Sequence, residues 1–507
     1  MRARTLAGTA AAGLLLAAAA AGNAAANPYA LGPDVQVSGA SALVGCAFGG
    51  SDAFEDAYDN TEVEPQVAVD PTNPDVIVGA SQQDRWPDGG ARGLTSWAST
   101  NGAASWAKLP DVPWSACQGG PTRFERVTDP WVSYDAGGNL YFIGQPIDSA
   151  ELGISAISVT TWNGTDWNDP QLLIEDRGDR GVFNDKVSIT GDPTRPGYAY
   201  ATWIRGDYPP GQRQSPVADF ASFAYRGLPM ISRTSDGGET WSTPRPMRQS
   251  NAYFQGNQIA VGPDGTLYNV TAVLFTGAGI QPNLEGVYMG VMRSRDAGRT
   301  WSAPKQIAPI RTAQLIVRED RGDPDFETPI RAEDYLPDIA ISPVNGDIYV
   351  VWSDGLGTPI DRVVLSKSSD GGRHFSTPRI VATGGPGVQS YNHSIEVTED
   401  GTVVLTYYDD RFDVSSNDVA ETDVWLRHSH DGARDWEPEQ HLLGPFNHYL
   451  APMSWTVLSD GTKVERGLFL GDYMGLETIT GDDVINFFAV TGASNPSADV
   501  HSIRADH

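Results

Sequence analysis

Along this chain, short runs of alternating apolar and polar residues repeat in pairs. Each pair is split by a turn rich in Gly, Pro, Asn and Asp, as in Val67–Ala80, Val132–Gly144, Ile189–Ile204, Ile259–Ala272, Ile339–Ser353 and Ile395–Tyr408. Alternation with a period of two places every second side chain on one face of a strand, and a turn between two such runs makes a hairpin. Helical periodicity is almost absent beyond the first 26 residues, so the pattern predicts an all-β chain.

A second repeat follows each hairpin. Ser294-Arg-Asp296-Ala-Gly298-Arg-Thr300-Trp301 returns as Thr234-Ser-Asp236-Gly-Gly238-Glu-Thr240-Trp241 and as Ser368-Ser-Asp370-Gly-Gly372-Arg-His374-Phe375. Weaker copies are Ser429-His-Asp431-Gly-Ala433-Arg-Asp435-Trp436, Ser99-Thr-Asn101-Gly-Ala103-Ala-Ser105-Trp106 and Thr160-Thr-Trp162-Asn-Gly164-Thr-Asp166-Trp167. Ser/Thr and Asp side chains bond nearby backbone groups, Gly accepts positive φ, and the aromatic residue is free to pack between sheets. This string resembles the Asp box of the sialidase superfamily, and its repetition implies a β-propeller. Hairpin, third strand, box and fourth strand make one four-stranded antiparallel blade. The box aspartates, Asp236, Asp296, Asp370 and Asp431, are accordingly expected to be structural.

Six boxes fit six blades. A further hairpin, Leu468–Val490, with Ala498–Ile503 as its third strand, favours seven, the last blade being completed by an N-terminal strand at Pro33–Val37 and leaving no free sheet edge. Residues 1–26, a basic start, an Ala/Leu-rich run and a small-x-small ending at Ala24 and Ala26, read as an export signal, with one propeller domain over 27–507. Export suits the two cysteines, Cys46 and Cys117, which are expected to pair in an oxidising compartment. With 35 Lys and Arg against 64 Asp and Glu, the formal charge of −29 disfavours nucleic acid and anionic membranes as partners. A monomer acting on glycans outside the cell is the expectation.

Loops on the face opposite the boxes carry the candidate chemistry. As the resemblance implies, sialidases grip a substrate carboxylate with three arginines, use a tyrosine paired with a glutamate as nucleophile, and use an aspartate as acid/base. Matching residue types here are Arg85, Arg126, Arg331 and Arg411 for the clamp, Tyr408 and Glu333 for the nucleophilic pair, and Asp129 or Asp84 for the acid. The Arg-Ile-Pro string of sialidases is absent, so these residues come from type and loop placement alone. Glu64, Asp129, Asp185, Asp338 and Asp472 stand at or just before innermost strands. Converging there, they would bind a hard cation such as Ca²⁺; no cofactor is otherwise required, and no His/Cys cluster suited to zinc is visible in the sequence. The reading is a sialidase-like glycoside hydrolase of terminal acidic sugars. Its alternatives are a non-catalytic glycan- or protein-binding propeller and another exo-glycosidase or lyase on the same scaffold.

Overall fold

The structure, a computed structural model, describes residues 27–149, 153–177, 181–207, 226–274, 287–317, 327–332, 335–413, 419–457, 461–492 and 496–507. These residues form antiparallel β-sheets with only short 3-10 turns beside them. The predicted export signal lies outside them.

Among the described residues, seven strands each open an antiparallel up-and-down unit: Glu62–Val69, Arg126–Tyr134, Val182–Gly191, Tyr253–Val261, Asp338–Ile341, Ser390–Val397 and Gly475–Thr480. In the sixth unit, Ser390–Val397 pairs with Val403–Asp409, then Glu421–Ser429, then Gln440–Asn447. In the seventh, Gly475–Thr480, Asp483–Thr491 and Ala498–Asp506 are contiguous in sequence, and the N-terminal pieces Ala30–Leu31 and Val35–Gln36 pair onto Ala498–Asp506.

The core lies between units. One apolar layer joins Ile143 and Val159 of the second unit to Ile189 and Trp203 of the third; another joins Val350 of the fifth to Val270 of the fourth. The succession continues from unit to unit until Phe487 and Ile485 of the seventh meet Val67 and Ile77 of the first. Each unit is thus covered on both faces, which is why second strands such as Ile348–Asp354 and Val403–Asp409 are buried along their whole length rather than at alternate positions.

The recurring Ser/Thr-x-Asp-x-Gly turns supply much of this packing. In the fourth unit, Ser294 Oγ donates to Asp296 Oδ1 at 2.8 Å and accepts from Gly298 N at 2.9 Å, while Asp296 Oδ1 accepts from Thr300 N at 2.8 Å. Equivalent bonds run from Thr234 to Asp236, Ser368 to Asp370, Ser429 to Asp431 and Ser99 to Asn101. Bonds from Thr240 and then Thr234 hold the Asp236 carboxyl below its usual range. The aromatic that ends each turn reaches back to the preceding unit: Trp241 lies 6.2 Å from Tyr141, and Trp106 lies 5.3 Å from Phe487. Thr160–Trp167 departs from the pattern; there Asn163 Oδ1 accepts from Thr165 N and Asp166 N.

Cys46 and Cys117 form a disulfide that ties the N-terminal segment to the turn after the first unit. The expected hairpin over Leu468–Val490 begins later than its apolar pattern implies. Lys463–Phe469 pairs instead with Met453–Val457 and Ile330–Arg331 in a separate small sheet. Gly471, at positive φ, lies in the turn between the two sheets.

Candidate functional site

Five opening strands share an irregularity. Their pairing registers shift between Val63 and Gln66, Thr128 and Trp131, Asp185 and Ser188, Gln255 and Gln258, and Tyr391 and Ser394. At each shift one residue adopts a left-handed backbone: Glu64 (φ 56°), Asp129 (56°), Lys186 (50°), Gly256 (65°) and Asn392 (49°). Bulges of this kind bend a strand and re-aim a side chain. A left-handed non-glycine residue costs roughly 1–2 kcal/mol, so its recurrence marks a place where the surrounding fold holds strain for a purpose.

Three of these residues bear charge, and they meet. Lys186 Nζ contacts Glu64 Oε1 at 3.7 Å and forms an ion pair with Asp472. Asp472 also accepts from Arg331 Nη2 at 2.8 Å, and Arg331 Nη1 donates to Ser454 Oγ at 2.9 Å. Arg85 donates to Gln82 Oε1 at 3.0 Å, while Gln82 Nε2 donates to Glu64 and, at 3.0 Å, to Thr128 Oγ1. The guanidiniums of Arg85 and Arg331 lie 4.2 and 4.3 Å from the centre of the same Phe469 ring. Thr128 Oγ1 donates to Asp129 Oδ1 at 3.0 Å, and Tyr473 donates to the Pro130 carbonyl at 3.2 Å with its ring 5.1 Å from Trp131. Gly471 lets the Asp472 segment approach so closely: a Cβ there would sit 2.8 Å from Glu64 N.

Charge is divided unevenly within the cluster. Burial pushes the Glu64 carboxyl up to about 8, opposed by Lys186 and reinforced by Asp129 and Asp472. Burial acts on Asp472 in the same sense, but Arg331 and Lys186 outweigh it and hold that carboxyl well below the usual carboxylate range. Burial, then Arg331, lowers the Arg85 guanidinium to about 10, which leaves it charged at neutral pH. The site therefore holds a protonated carboxylic acid beside an ionised one, the separation that acid/base chemistry needs. Asp129 Oδ2 and Asp472 Oδ1 are buried without a hydrogen-bond partner among the described residues. A cavity of about 590 Å³ opens beside Lys186, Asp472, Tyr473 and Trp131 and runs between the opening strands past Asp338, Glu396 and Glu477.

Arg85, Arg331 and Asp129 fall in this cluster; the other expected site residues do not. Tyr408 is buried in the layer between the sixth and seventh units, and its hydroxyl donates to the Ala489 carbonyl at 2.5 Å. Its partner in the strand, Tyr407, binds Glu439. Asp84 anchors the N-terminal segment through Ser41 Oγ and Asn60 N, both at 2.8 Å. Arg126 holds that segment too, donating to the Gly49 and Gly89 carbonyls at 2.6 and 2.7 Å and to Asp88 at 2.7 Å. Arg411 is closed onto Asp409 and Glu439 and lies 3.6 Å from the Trp425 ring. Glu333 lies outside the described residues.

Of the five carboxylates expected to converge, Glu64, Asp129 and Asp472 do so, but around an ammonium. The left-handed position of the third unit is taken by Lys186, one residue past Asp185, and its ammonium contacts Glu64 and Asp472. Asp338 bonds Ser394 Oγ and Ile395 N farther along the cavity. Phe469 is the contribution the sequence reading missed; Lys186 was noted only as a neighbour of Asp185 at the entry to the third unit. Two of the five bulged positions, Glu64 and Asp129, precede a proline.

The fold and site thus define an all-β protein of repeated antiparallel sheets with a charged cluster where the opening strands begin. No family model matches the chain, and no curated protein matches it. Solved structures are similar to it at low identity. A protein of unknown function from Dyadobacter fermentans is 14% identical, with 95% of this chain and 100% of that one covered at a TM-score of 0.48. A Hadza microbial sialidase is 14% identical, covering 84% and 76% at 0.47. The Penicillium chrysogenum alpha-L-arabinanase complexed with arabinobiose is 11% identical, covering 93% and 98% at 0.41.

Proposed function

We propose that the chain is an exported glycoside hydrolase of terminal acidic sugars, built as one closed propeller of seven blades. The observation that carries the activity is the pairing of Arg85 and Arg331 on Phe469 beside a Glu64 carboxyl held protonated at neutral pH. In this reading the two guanidiniums take the sugar's carboxylate, for which a planar fork is suited. Glu64 gives its proton to the departing glycosidic oxygen, and Asp129 supplies the second carboxyl group. Trp131 and Tyr473 form the apolar wall against which a sugar ring stacks. The cyclic succession of apolar layers and the pairing of Val35–Gln36 with Ala498–Asp506 support the closed seven-blade form. The disulfide is in keeping with export.

The test is hydrolysis of a panel of fluorogenic glycosides by the purified protein, with a sialoside and a hexuronide against a neutral arabinofuranoside. Turnover of an acidic glycoside, lowered about 100-fold or more in kcat by Glu64→Gln, is the expected result. Turnover of the neutral glycoside alone would remove the role given to the arginines. Binding of acidic sugars without turnover would leave a glycan-binding module.

A further inference from the structure

We propose that His428, His430 and His507 form a transition-metal site suited to Zn²⁺, which clamps the final strand of the chain onto the sixth unit. The chain has only eight histidines, and three of them gather here, each offering a ring nitrogen within 4.8 Å of the others. His428 and His430 are two residues apart at the end of Glu421–Ser429, a spacing that puts side chains on one face of a strand. His507 follows directly on Ala498–Asp506 and arrives from the seventh unit.

The polar groups around the three rings orient them as metal ligands are usually oriented. His428 Nε2 bonds the Asn27 carbonyl at 3.0 Å, so that nitrogen carries the proton and Nδ1 holds the lone pair. His428 is fully buried, and its Nδ1 has no hydrogen-bond partner among the described residues. His430 Nδ1 lies 3.0 Å from Thr402 Oγ1, which donates to Asp482 at 3.1 Å; His507 Nδ1 lies 3.5 Å from the same Asp482 oxygen. His507 Nε2 lies 3.0 Å from Asn27 Nδ2 and 3.3 Å from the Asn27 carbonyl, a contact that zinc would displace. One carboxylate thus steadies two imidazoles from behind.

Nitrogens bound to zinc at about 2.0–2.1 Å stand roughly 3.4 Å apart, so the three rings need to close by only about an ångström. His430 is exposed and placed to make that adjustment, while the His507 side chain is mostly covered; the fourth position is left to solvent. Imidazole nitrogen selects zinc, copper or nickel over calcium, whose ligands are oxygens.

Titration of the purified, chelator-treated protein with zinc chloride, followed by calorimetry and thermal melting, tests the proposal. One equivalent is expected to bind and to raise the melting temperature by roughly 2–4 °C. The rise should vanish in the His430→Ala/His507→Ala double variant, persist in His374→Ala, an exposed histidine elsewhere, and be absent with calcium chloride. Cobalt(II) in the unaltered protein should give the visible absorption of a tetrahedral site, a readout independent of any variant's folding. Absence of zinc binding, an equal rise in the double variant, or an octahedral cobalt spectrum would overturn it.

Discussion

At the residue scale, the site's character follows from how five left-handed positions are filled. The same backbone device presents a carboxyl at Glu64 and Asp129, an ammonium at Lys186, no side chain at Gly256 and an amide at Asn392. Chemistry is thus written by substitution on a repeated bulge. If Glu64 is the proton donor, activity on an acidic glycoside should fall as pH rises through about 8, where its carboxyl ionises. Glu64→Gln should lower kcat and abolish that limb of the pH profile. Arg126 belongs to a different class of residue. Arg126→Ala would leave Asp88 and two carbonyls without their buried donor, so its melting temperature should drop while KM stays unchanged. A KM rise without loss of stability would put Arg126 back in the site.

At the scale of the element, the recurring turn is a stability device. In Ser294-x-Asp296-x-Gly298, one hydroxyl serves the carboxylate and a buried backbone N–H at once. Ser294→Ala should therefore cost about 1–2 kcal/mol in chemical denaturation, the loss expected when a capping side chain leaves a buried donor unsatisfied. Thr165→Ala, an exposed position in the turn that departs from the pattern, should change stability by less than about 0.5 kcal/mol. These turns were legible in the sequence because a turn is local: its donors and acceptors lie within seven or eight residues of one another.

At the scale of the whole molecule, the cavity between the opening strands buries carboxyl groups that lack counter-charges. Burial pushes Glu477 up to about 8 and Glu396 well above its usual range; Glu477 also raises Glu396, and Asp338 raises both. The folded chain holds the Glu477 proton up to about pH 8, and the Glu396 proton well above the usual range, whereas the unfolded chain releases both near 4.5. Folding therefore takes up protons at these groups between those values, and each contributes stability that is lost as pH rises across that interval, by up to about 1.4 kcal/mol per pH unit. Denaturation followed from pH 7 to pH 8, above the range where buried histidines act in the opposite sense, should show the decline, and Glu477→Gln should make it shallower. A Glu477→Gln profile as steep as that of the unaltered protein would contradict the burial of this group.

Strand pairs, turns, the Cys46–Cys117 link and an all-β chain were all present in the linear pattern, since each depends on period-two alternation, on turn chemistry within a few residues, or on the presence of just two cysteines. Tertiary structure alone decided which polar residues meet. Arg85 and Arg331 come from distant segments and share one ring, Phe469, from a third. Tyr408 and Tyr407 look equivalent in the sequence, yet both are sealed between sheets because each unit is covered on both faces. The shift of charge from Asp185 to Lys186 turned on a single-residue bulge, which no alternation pattern specifies. Contacts between distant units have no signature along the chain, because residues far apart in sequence become neighbours only when the sheets stack.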